Sequence, residues 1–132
     1  MSQLCPCTSK LTYEKCCEPF LTGKALPESA EQLMRSRFTA YAMNKHLYLV
    51  ETTAPERRAT LTPDELDGSY CRSVKCISLK ILGKRAGGPT DDTGVVIFHA
   101  KIQIKGKATL YREKGTFRRE EGRWLFVSGE TN

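Results

Sequence analysis

Four of the six cysteines in this 132-residue chain, Cys5, Cys7, Cys16 and Cys17, fall within its first seventeen positions. Their order is Cys-Pro-Cys, eight residues, then Cys-Cys. A stretch this short has almost no core of its own, with Leu11, Tyr13 and Phe20 as candidates, so whatever joins the sulfurs decides how it folds. Four thiolates close a tetrahedron around Zn2+ at Zn–S distances of about 2.3 Å and leave no open position. Such a site is structural, with one ion per chain, and the metal is what folds the knuckle. Pro6 stiffens the short arm, residues 8–15 make the excursion, and adjacent Cys16 and Cys17 reach one ion only if the backbone turns sharply there.

Disulfides and unconnected thiols are the alternatives. Four cysteines allow three disulfide connectivities, but a bridge between neighbours is strained, because bridged Cα atoms prefer about 5.5 Å and consecutive ones sit about 3.8 Å apart. The opening Met-Ser-Gln-Leu lacks the basic and apolar regions of a secretory signal, so the expected address is a reducing one, the cytoplasm. No apolar run approaches the roughly 20 residues that span a bilayer, and no membrane role is expected.

The length suits one ordinary core plus a small appendage: a zinc knuckle over 1–22 and a body over 23–132. The formal charge is +6, and four thiolates with one dication lower it to about +4. Residues 1–70 carry 8 basic and 9 acidic groups and residues 71–132 carry 13 and 6, so the positive charge belongs to the later strands. Arg57-Arg58, Lys84-Arg85 and Arg118-Arg119 are isolated pairs without interleaved aromatic platforms, which argues for a solvated basic surface over nucleic-acid binding.

Ser29 with Gln32 predicts a helix start, and Ala30, Leu33, Met34, Phe38 and Tyr41 make its apolar stripe. Arg37 falls inside that stripe, four residues from both Leu33 and Tyr41, whereas Arg35 is expected to face solvent. Residues 45–53 read as a second helix ended by Pro55, and Thr62-Pro63-Asp64-Glu65 starts a third. From Val74 the period becomes two. Ile77, Leu79 and Ile81 should share one face of a first strand, and Gly83 to Gly94 should form an exposed loop. Val96, Phe98, Ala100, Ile102 and Ile104 share a face of the next strand, Thr109 to Arg119 form a third, and Trp124 and Phe126 alternate with Leu125 and Val127 in the last. Three helices followed by a four-stranded antiparallel meander is an α+β order.

The cysteine pattern resembles the SEC-C zinc motif. Together with Leu33-Met34-Arg35-Ser36-Arg37, Tyr41, Glu113, Phe117 and Gly122-Arg123-Trp124 it resembles the YchJ-like family of bacterial proteins over nearly the whole chain. The resemblance implies zinc at the four cysteines and a cone-shaped body of the nuclear transport factor two class, its strands curling around the first helix to enclose a pocket. It brings no settled activity. The chain departs from the pattern at Thr8-Ser9-Lys10, where the motif usually has Gly-Ser-Gly, at Thr53-Ala54-Pro55, where the family has Trp-His-Pro, and in having no second SEC-C motif before Asn132.

Within such a cone Glu113, sharing a strand face with Tyr111, is the expected partner of Arg37. The pair is either a structural ion pair or an anion clamp whose geometry Glu113 sets. His46 and His99 have no second ligand or carboxylate at hand and read as ordinary side chains. Cys71 and Cys76, five apart, would face opposite ways on one strand and read as small buried groups. The expected function is therefore an adaptor that docks through its knuckle on a protein or ribosomal partner, without catalytic residues. The alternative is a ligand-binding or enzymatic pocket lined by Arg37, Tyr41, Glu113, Phe117 and Trp124. By fold analogy, the outer sheet face is a candidate homodimer surface.

Overall fold

The computed structural model describes residues 3–131. Residues 1, 2 and 132, at the outer ends of the two expected units, lie outside the described residues. After a 3-10 turn at Tyr13–Lys15 come the helices α1 (Glu18–Leu21), α2 (Ala30–Ala42), α3 (His46–Glu51), α4 (Pro55–Arg58), α5 (Pro63–Asp67) and α6 (Ser69–Ser73). The strands β1 (Val74–Ala86), β2 (Thr93–Ile104), β3 (Lys107–Glu120) and β4 (Arg123–Thr131) form one antiparallel sheet in sequence order. The expected α+β order is present, with three short helices added to the expected three.

Local chemistry explains the helix boundaries. Ser29 Oγ accepts from Gln32 N–H at 3.1 Å, while Gln32 Oε1 reaches past the cap to Glu28 N–H at 2.7 Å. Thr62 and Glu65 form a complete capping box at the start of α5. Pro55 does more than end a helix: α3 stops at Glu51, and Pro55 opens α4 in the first-turn position that tolerates its missing N–H. Segment 52–54 is pinned to β4, with Phe126 N–H donating to Thr52 O at 2.7 Å and Ala54 N–H to Phe126 O at 2.8 Å.

Two features of β1 differ from the alternation expected of it. The pairing with β2 slips at Ile77 and again at Leu82, and each extra residue of a bulge changes which side chains face the core. Val74 and Leu79 are buried while Ile77 is 40% exposed. The connection to β2 is also shorter than the expected Gly83–Gly94 loop, since pairing continues to Ala86↔Gly94. Gly94 permits this closure: a Cβ there would lie 2.5 Å from the Gly87 Cα and 3.2 Å from the Ala30 Cβ. Ala30 N–H donates to Gly87 O at 2.9 Å, so the start of α2 is docked on this hairpin.

The sheet packs against α2. Ala30, Leu33, Met34 and Phe38 meet Leu79, Val96, Phe98, Phe117 and Trp124 in one core, and Cys5, Cys7 and Cys17 belong to the same cluster. The amino-terminal segment is thus not held off from the body. α2 is buried nearly all round, with Ser36 and Thr39 at 0% exposure, because the sheet covers one side and the cysteine segment another. Among the described residues no helix is long and apolar enough to cross a membrane.

Candidate metal centre and the cavity beside it

The cysteine segment begins as a tight hairpin. Cys5 N–H donates to Leu11 O at 2.8 Å and Thr8 N–H to Cys5 O at 3.1 Å, which turns Cys5 and Cys7 towards one point. The Tyr13–Lys15 turn returns the chain, and the expected sharp bend occurs at Cys16, with φ −120° and ψ −92°. Cys17 then caps α1. All four sulfurs lie within 4.8 Å of one another, with Cys7 and Cys16 at 3.6 Å and Cys16 and Cys17 at 3.8 Å. A disulfide needs about 2.05 Å, and every cysteine is a free thiol. A tetrahedron with metal–sulfur bonds of about 2.3 Å has edges of about 3.8 Å, so the donor set fits a four-coordinate metal.

The crowding of these thiols shows in their proton affinities. Burial pushes Cys16 up to about 11. Hydrogen bonding to Cys5 and Cys7, followed by burial, raises Cys17, whereas hydrogen bonds from Cys17 and Cys5 lower Cys7. Four thiolates at these separations need a cation, which inverts the local order of proton affinities and releases protons as it binds.

The body supplies partners to the sulfurs. Thr39 Oγ1, fully buried on α2, donates to Cys17 Sγ at 3.3 Å and lies 3.5 Å from Cys5 Sγ. Ser9 Oγ is 3.3 Å from Cys16 Sγ. Arg35 does not face solvent as expected: its Nη1 donates to Cys7 O at 3.2 Å and points to Cys7 Sγ at 3.8 Å, while Nε pairs with Glu31 at 3.0 Å. Sequence periodicity missed Arg35 and Thr39 because it shows an apolar stripe, not what covers the other faces. Their spacing of four, which places them on one helix face, was the available signal. Outer partners of metal ligands typically change affinity by about 10 to 100-fold. Thr39→Val, nearly isosteric, should therefore weaken metal retention by about that factor in a competition titration with a chromogenic chelator, leaving the circular dichroism unchanged.

The replacement of Gly-Ser-Gly has a structural answer. Thr8 and Lys10 keep the left-handed backbone, with φ 60° and 73°, at about 1–2 kcal/mol each for an L-residue. Thr8 uses its hydroxyl in return: Oγ1 donates to Leu79 O at 2.7 Å and accepts from Leu79 N–H at 3.1 Å. This contact fastens the cysteine hairpin to β1.

On the opposite side of α2 lies a cavity of about 320 Å3, lined by Arg37, Tyr41 and Glu113 together with Phe98, Tyr111 and Phe126, among others. Phe117 and Trp124 are not among its lining residues. Phe117 is 0% exposed and packs edge-on against Phe126, and Trp124 borders a separate hollow of about 220 Å3 with Phe20 and Tyr48. Arg37 is 7% exposed. Its expected ion pair with Glu113 is not formed. Nη1 donates instead to Leu49 O at 3.0 Å, Thr52 Oγ1 at 2.8 Å and Thr53 Oγ1 at 3.3 Å, and the guanidinium stacks 4.7 Å from the centre of the Phe126 ring. Main-chain carbonyls and threonine hydroxyls leave no charge pattern in a sequence, so these partners had no signature. Burial raises the Glu113 carboxyl, with Arg37 and Arg57 opposing it. Burial lowers Arg37, with Tyr41, Tyr48 and Glu113 opposing. Cys71 lies on α6, where its thiol points to Ala40 O and Tyr41 O, and Cys76 lines the cavity.

Comparison with known proteins agrees with this geometry. Residues 1–19 match the SEC-C motif and residues 29–129 match the family described as "YchJ, middle NTF2-like domain". A UPF0225 protein of Corynebacterium glutamicum is 40% identical over the full length of both chains. A UPF0225 protein of Geobacter sulfurreducens is 36% identical, with 98% of this chain and 80% of that one aligned. The solution structure of a SEC-C motif containing protein from Rhodopseudomonas palustris superposes with a TM-score of 0.84 at 36% identity, covering 97% and 98% of the two chains. A SEC-C motif containing protein from Psychrobacter arcticus, at 22% identity and a TM-score of 0.79 over 98% and 83%, shares the fold. Fold and site together define a SEC-C cysteine module built onto an NTF2-like α+β domain. The chain belongs to the YchJ-like family, whose relatives carry the name UPF0225.

Proposed function

We propose that this is a cytoplasmic zinc-binding protein. One structural Zn2+ per chain, held by Cys5, Cys7, Cys16 and Cys17, clamps the amino-terminal module to the body, and the body's cavity is a small-molecule binding site. The observation that carries this reading is the double use of α2. Thr39 and Arg35 reach the sulfurs from one face, while Arg37 and Tyr41, on the opposite face at 100° per residue, line the cavity. A set of four soft thiolates suits zinc among the common divalent ions, and a closed set gives the ion a structural role. What the metal supplies is folding energy.

Metal analysis of freshly purified protein tests the zinc part: one zinc per chain is expected, falling sharply in Cys16→Ser. A metal-free wild type with an intact fold would overturn it.

The adaptor reading retains one supporting observation. Leu4 and Leu11, 66% and 54% exposed, are large apolar side chains left open on the module, as an apolar contact for a protein or ribosomal partner would require. Loss of partner capture in Leu4→Ser/Leu11→Ser, with zinc content unchanged, would favour that reading.

A further inference from the structure

The cavity carries more chemical information than its volume. Arg37 spends Nη1 on three protein acceptors, and among the described residues none bonds its Nε or Nη2. Buried side-chain nitrogens and oxygens without a partner are, among the described residues, confined to Arg118 Nε and Trp124 Nε1, so the free nitrogens of Arg37 open onto accessible space. Nε and Nη2 form the side-on edge of the guanidinium, which takes a carboxylate through two parallel hydrogen bonds. Fixing Nη1 and stacking the plane on Phe126 at 4.7 Å leave that edge preorganised.

Glu113 is the complementary group. Its register opposite Phe98 on β2 puts it on the inner sheet face, and its carboxylate takes no hydrogen bond or ion pair among the described residues. The charged residues of the lining are Arg37, Arg57, Glu65 and Glu113, two of each sign. A balanced lining suits a monoanion with a donor group better than a multiply charged phosphate. The lining also includes the aromatic rings of Phe98, Phe126 and Tyr111. A volume of about 320 Å3, at the small end for ligand sites, admits one ring and a short chain.

We propose that the cavity binds a compact aromatic carboxylic acid with a hydrogen-bond donor at its far end, the carboxylate on the Nε–Nη2 edge of Arg37 and the donor on Glu113. The assignment rests on the cavity being a ligand site, and the test separates the two ideas.

Three probes are titrated into the zinc-loaded full chain, followed by amide NMR shifts at Ala100, Tyr111 and Phe126: 3-(4-hydroxyphenyl)propanoate, 3-phenylpropanoate and 4-ethylphenol. Because a hydrogen bond to a charged group contributes about 1.5–3 kcal/mol, removing the carboxylate should weaken binding by roughly 10 to 150-fold. Removing the hydroxyl should weaken it by about 10-fold. In Glu113→Met the two acids should bind equally, and this variant leaves the hydrogen bonds of Arg37 to α3 and Thr52 intact. If 4-ethylphenol binds as tightly as the acids, the carboxylate assignment falls and the ligand site stands. If Glu113→Met keeps the preference for the hydroxyl, the role of Glu113 falls. If no probe moves a cavity amide, the ligand site itself falls.

Discussion

Removal of the metal with a chelator is expected to lower the melting temperature of the whole chain by about 15 °C or more, as one transition. The magnitude follows from linkage. An ion present at a thousand times its dissociation constant contributes about 4 kcal/mol, and in a chain of this size each kcal/mol corresponds to about 4 °C. The breadth of the effect follows from packing. Cys5, Cys7 and Cys17 share a core with Leu33, Phe38, Leu79, Val96 and Phe98, so releasing the sulfurs uncovers one side of α2 and frees Thr8 from Leu79. Trp124, the single tryptophan, lies on β4 in the body and supplies the readout. Its fluorescence transition should move down together with the loss of metal. An unshifted Trp124 transition after complete removal would show that the module is merely appended.

Phe117→Ala is expected to destabilise the protein by about 3–5 kcal/mol, as a large ring removed from a packed core does. The ring is fully buried, sits 5.7 Å from that of Phe126 and lies across Gly115, where a Cβ would come within 2.9 Å of it. The β3–β4 pairing also slips between Thr116 and Phe117, so the backbone there is already committed and has little freedom to collapse into the void. The urea midpoint should fall with little change in slope, and the metal content should match that of the wild type. A loss below about 1 kcal/mol would mean that the ring is not the core element described.

Legibility in the sequence followed the range of the interactions. The four cysteines were visible because all the donors lie within thirteen consecutive positions and sulfur chemistry is local. The α2 start was visible through Ser29 and Gln32, and the meander through its alternation. The inner face of β1 was not, because bulges at Ile77 and Leu82 depend on pairing with β2. Arg37 stood out as a charge in an apolar stripe, and it is buried. Its partners escaped notice because they are a carbonyl and two hydroxyls contributed from α3 and the residues just after it.

By itself, then, the amino-acid order determined the donor set, the α+β succession and the anomaly at Arg37, all of which rest on spacing along the chain. Only the tertiary structure decided that the cysteine module lies inside the body's core, that Arg35 turns to Cys7, and that Arg37 and Glu113 face their common cavity without pairing. Periodicity reports which face of an element is apolar. What covers each face is set by segments far apart in the chain, 71 residues in the case of Thr8 and Leu79, and is settled when those surfaces exclude water together.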